Sequence, residues 1–121
     1  MKKLIRKLEK YNRRDYENIQ KMSFFIDESC QYLIVDFLTL LIEELKIIRK
    51  LNNNLDSELK DKALVMQELN NCQPQYLKHM AKIIECANIT PQILPYINDM
   101  TMYVDKWAKT IDKMNQIISE K

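Results

Sequence analysis

Three features of this 121-residue chain predict an all-α fold, a compact bundle of four or five helices. It contains no glycine, its apolar residues recur at helical spacing, and three prolines and two asparagine clusters cut it into segments of helix length. The missing glycine excludes most. Tight hairpins, P-loops and dinucleotide-binding turns use glycine's freedom at positive φ, so neither a β-rich fold nor a phosphate cradle is expected. The length fits one domain, residues 1–121. A chain of this size buries roughly two-thirds of its unfolded surface, enough for a core without staples.

The first segment, residues 1–22, is basic and amphipathic. Leu4, Leu8 and Tyr11 recur at spacings of four and three, with lysines and arginines on the other faces. Asp15 could cap a new helix after Arg13 and Arg14, or the helix could run on through Ile19 and Met22; the residues leave both open. From 23 to 51 the chain is apolar on nearly every side, from Phe24 through Phe37 to Ile48. Residues 24–51 are therefore expected to form the central helix. Its polar residues Asp36, Thr39, Glu43, Lys46 and Lys50 step by three or four into one narrow stripe facing water or a partner.

The run Asn52, Asn53, Asn54 ends that helix, and Asp56 or Ser57 is a candidate cap for the next, with Leu59, Ala63, Met66 and Leu69 on its apolar face. Asn70 and Asn71 are expected to close it, asparagine tolerating the left-handed cap that glycine would otherwise fill. Pro74 fits the first turn of a further helix that carries Leu77, Met80, Ile84 and Ala87 and ends near Asn88. Thr90 followed by Pro91 is a start signal, although Pro95 one turn on points to a later start or a kink. The last segment has the most regular period. Ile97, Met100, Val104, Trp107, Ile111, Met114 and Ile118 occupy seven consecutive heptad core positions, predicting a long helix packed against another.

The net charge of +2 is near balance, but its distribution is polarised. Residues 1–14 hold seven cations and one acid, and the remainder has twelve cations against sixteen acids. The N-terminal segment lacks the unbroken apolar stretch of a signal peptide, and residues 32–48 are interrupted by four charges, so no membrane segment is expected. Cys30, Cys72 and Cys86, an odd count in a chain large enough not to need bridging, are expected to be reduced thiols in a cytoplasmic protein.

No motif in the sequence points to catalysis, a cofactor or a metal. Cys72, His79 and Cys86 stand seven apart, but seven helical residues rise about 10.5 Å, too far to share one ion. Glu43 and Glu44 are adjacent, hence about 100° apart on a helix, and are expected to be a solvated pair beside Lys46 rather than an acid and base working together.

The expected function is a non-enzymatic protein-binding module, such as an inhibitor, immunity-type protein, adaptor or regulatory subunit, offering a helical face. Tyr96, Met102 and Tyr103, outside the heptad seam, mark a second face of the last helix for contact with other helices or a partner; a second copy of the chain is one such partner. The alternative is a small nucleic-acid-binding accessory subunit with phosphate contacts from Lys3, Lys7, Lys10, Arg13 and Arg14. The abundance of Lys, Ile and Asn is that of many small accessory proteins of bacteria and their phages.

Overall fold

A computed structural model describes residues 1–56, 58–87 and 90–119. The elements are α1 (Lys2–Met22), 3-10 turns at Ser23–Phe25 and Glu28–Cys30, α2 (Gln31–Asn53), α3 (Leu59–Asn70), α4 (Cys72–Cys86) and α5 (Leu94–Ser119). These form a compact all-α bundle, with no strand among the described residues.

The basic segment does not break at Asp15. It is one helix of 21 residues because Asp15 turns inward with Tyr11, Asn12, Asn18 and Ile19 instead of capping a new start. The central helix is shorter than expected. It begins at Gln31, since Ile26 is extended and the chain crosses the end of the bundle in two 3-10 turns. Two side chains fix that crossing: Asp27 accepts from the Glu28 amide, and the Gln31 amide nitrogen donates to the carbonyls of Ser23 and Ile26.

The asparagine run ends α2 as predicted, with Asn54 Nδ2 donating to the Lys50 carbonyl at 2.6 Å. The other asparagine pair acts differently. Asn71 is right-handed, φ −71° and ψ −16°, so the chain passes from α3 to α4 through one residue with no left-handed cap. Of the expected N-caps for α3, Ser57 lies outside the described residues, as does Asn88 after α4; the cap position is Glu58. On α4 the buried face is Cys72, Tyr76 and Ile83, leaving Leu77 exposed. α5 begins at Leu94, after a turn in which the Thr90 carbonyl accepts from the Ile93 and Leu94 amides.

The predicted seam of α5 faces inward, with Ile97, Met100, Trp107, Ile111 and Met114 buried. α1 lies between α2 and α5, and α4 covers the other side of α2. Two apolar clusters result. One gathers Ile19, Met22, Phe37, Leu41, Ile83 and Ile97, and the other Ile5, Leu8, Ile48, Leu51, Leu69 and Trp107.

Cys30 and Cys86 form a disulfide that ties the start of α2 to the end of α4, with Cα atoms 6.4 Å apart. This corrects the expectation of three free thiols. The packing of α4 along α2 brings together residues 56 apart in sequence, which no local spacing announces. Cys72 alone is free, and burial pushes its thiol up to about 11, so it is protonated and unreactive at neutral pH. No helix among the described residues is long and apolar enough to cross a membrane.

Candidate functional site

The outer surface of α2 carries a feature hidden by its overall apolarity. Val35, Leu38, Ile42 and Leu45 follow one another at intervals of three, four and three residues, the spacing of a second heptad seam, and Arg49 continues it. This seam is not covered. Val35 is 61% exposed and Ile42 44% exposed, while Leu38 and Leu45 are half-buried. The polar stripe read from the sequence lies beside it, with Asp36, Thr39, Glu43, Lys46 and Lys50 all exposed.

Between this seam and α1 runs an open groove of about 480 Å³. Its floor is Leu41 with Ile42 and Leu45, its α1 wall is Asn12, Tyr16 and Gln20, and Arg13 and Arg49 stand on opposite walls. Glu9 and Glu17 also line it, and Glu17 lies 3.9 Å from Arg14. The groove is open to solvent and its lining is mostly apolar, as a groove that receives an amphipathic helix would be.

The basic residues of α1 divide into two sets. Lys3, Lys7, Lys10 and Arg14, spaced four, three and four, form one exposed stripe on the side away from the core; Arg13 instead belongs to the groove. The residues expected on a second face of α5 are separated. Tyr103 is buried, its ring 5.4 Å from that of Tyr11, and Tyr96 packs on the core and stacks on Phe25. Only Met102 faces outward, because its position is nearly opposite the heptad seam. Tyr96 and Tyr103 thus contact other helices of the bundle.

A buried polar layer separates the two apolar clusters. Asn12, Asp15 and Asn18 on α1 meet Glu44 on α2, Tyr76 on α4 and Asp99 on α5. Glu44 is 2% exposed, which corrects the expectation of a solvated pair: Glu43 is the exposed partner of Lys46, and Glu44 turns inward at the position between Leu41 and Ile48. The signal was present in the 3-4 spacing of Leu41, Glu44, Ile48 and Leu51. Asn12 Nδ2 donates to Glu44 Oε1 at 3.0 Å and to the Leu41 carbonyl at 2.9 Å, and Asn18 Nδ2 donates to Asp99 Oδ2 at 2.7 Å.

Among the described residues no lysine, arginine or histidine forms an ion pair with Asp15 or Glu44. Desolvation, then repulsion from Glu44, pushes Asp15 up to about 8, against a lowering by the Tyr76 hydroxyl. Desolvation likewise pushes Glu44 up to about 7, opposed by the Asn12 bond.

Cys72, His79 and Cys86 are spread along α4 as their spacing requires; the His79 ring meets the Gln75 carbonyl at 2.7 Å and the edge of Phe37. Comparison with family models, with curated proteins and with solved structures gives no match.

Proposed function

We propose that this chain is a non-enzymatic protein-binding module that receives an acidic amphipathic helix in the groove between α1 and α2, acting as an inhibitor, immunity-type, adaptor or regulatory subunit does. The observation that carries this reading is the seam Val35, Leu38, Ile42 and Leu45 on the outer side of α2, of which Ile42 and Leu45 line the groove together with Arg13 and Arg49. Apolar residues at heptad spacing on a partner helix would fill it, and carboxylates on its flanks would meet the two arginines. A second copy of this chain fits less well, since a two-fold contact here would bring two basic α1 helices together. The cytoplasmic location expected from the sequence rested on free thiols, and the Cys30–Cys86 bond removes that argument.

The test is selection of peptides from a random 16-residue display library on the purified protein. Enriched peptides should be amphipathic and acidic, and should lose at least tenfold in affinity against Ile42→Asp and against the double variant Arg13→Glu, Arg49→Glu. Enrichment of peptides indifferent to both variants would overturn the assignment.

A second reading is favoured by the stripe Lys3, Lys7, Lys10 and Arg14, whose charge density suits a phosphate backbone. Fluorescence anisotropy of a labelled oligonucleotide separates the two. Affinity that falls steeply from 50 to 200 mM salt and is lost when the four become glutamine supports it; no binding at 50 mM removes it.

A further inference from the structure

The buried polar layer contains a site that the groove does not use and that stands whether or not the groove binds a helix. Asp15, at the middle of α1, is 4% exposed, and Tyr76 on α4 is as deeply buried. Among the described residues, Asp15 Oδ1 and the Tyr76 hydroxyl have no hydrogen-bond partner, although the two side chains interact: they lie near each other but off the geometry of a direct bond. Both line a small cavity of about 10 Å³ that Glu44, Gln73 and Trp107 also border, the space that about one water requires. A buried donor or acceptor left unsatisfied costs more than a hydrogen bond returns, and a buried carboxylate without a cation costs more still.

Among the described residues, no cation faces Asp15 from any packed element. α2 presents Glu44, α4 presents Tyr76 and Gln73, and α5 presents Asp99, Tyr103 and Trp107; on α1 itself Asn12 is occupied by Glu44 and Leu41, and Asn18 by Asp99. We infer that this cavity is an internal proton-binding site, in which Asp15 keeps its proton at neutral pH and, with the Tyr76 hydroxyl, hydrogen-bonds one resident water at the junction of α1, α2, α4 and α5. A protonated carboxyl needs no counter-cation, and the water supplies a bridge between it and the Tyr76 hydroxyl. A monovalent cation is the competing occupant, and it would require Asp15 to be ionised.

The full chain tests this directly. Carbon-13 NMR of the side-chain carboxyls from pH 3 to 10 should show the Asp15 Cγ resonance titrating above pH 6, and oxygen-17 relaxation dispersion should detect a long-lived internal water that disappears in Tyr76→Phe. Asp15→Asn, which keeps a donor and an acceptor, should fold and should become progressively more stable relative to the parent as pH rises, its folding constant gaining up to about tenfold per pH unit between the two titrations. Titration of Asp15 near pH 4, or an Asp15→Asn penalty equal at every pH, would overturn the proposal. So would a rise in stability at pH 8 on exchanging tetramethylammonium for sodium or potassium at constant ionic strength, which would identify a cation site.

Discussion

Asn12 and Glu44 are joined across the α1–α2 interface by a hydrogen bond of 3.0 Å, between the two apolar clusters of the bundle. The same amide nitrogen holds the Leu41 carbonyl, and Leu41 is the floor of the outer groove. One asparagine thereby fixes the register of α1 on α2 and connects the buried layer to the outer groove. Apolar contacts slide at small cost, whereas a buried amide matched to two acceptors specifies one alignment.

Removing that amide should be felt throughout the fold. Asn12→Ala leaves the Glu44 carboxyl without this donor and removes the second bond to the Leu41 carbonyl, and is expected to cost about 1 to 3 kcal/mol. Urea denaturation at pH 6 measures it; a loss below about 0.5 kcal/mol would show that these groups are satisfied otherwise.

The buried acids give stability a definite dependence on pH. Glu44 rises from 4.5 to about 7 on folding, so between those values the folded state binds more protons than the unfolded one. The stability from this group is complete below about pH 4.5 and is lost as pH rises through about 7. Glu44→Gln, which retains an acceptor for Asn12, should therefore improve relative to the parent by about 1 to 3 kcal/mol from pH 4.5 to pH 8. Paired denaturation curves at those two pH values check the sign.

The disulfide closes a long loop, with 56 residues separating its cysteines. On the chain-entropy argument, reduction or Cys86→Ser should cost about 4 kcal/mol. Thermal melts with and without reductant measure this, and equal midpoints would place the bond's contribution elsewhere.

Core and exposed seam positions on α2 should respond differently. Phe37, wholly buried and set edge-on to Tyr76 with ring centroids 5.0 Å apart, is expected to cost about 3 to 5 kcal/mol on truncation to alanine. Val35→Ser should change stability by less than about 0.5 kcal/mol, because its side chain rests in solvent. A large loss at Val35 would mean that the seam is already filled.

Much of the architecture was legible because hydrophobic period is a local signal. The heptads of α5 run from Ile97 to Met114 without a break, and they face the core. The exposed stripe of α2 was legible for the same reason. The Ser23–Phe25 and Glu28–Cys30 turns were not, since they arise without glycine or proline and are held by Gln31 reaching back to Ser23 and Ile26. Long-range events were equally hidden. The Cys30–Cys86 bond depends on how α4 lies along α2, and Glu44 is buried because Asn12, 32 residues away, is there to meet it. At the groove, the density of cations in residues 1–14 hides that Arg13 stands apart from the basic stripe, on the wall of the groove.

The most direct measurement follows the methyl groups of Val35, Leu38, Ile42 and Leu45 by NMR while an acidic amphipathic peptide from the display selection is added to the protein. Saturable shifts are expected at those four residues, together with the Arg13 and Arg49 side chains, and little change at Lys3 or Lys7. Shifts that leave the four methyl-bearing residues untouched and gather on another face would contradict it.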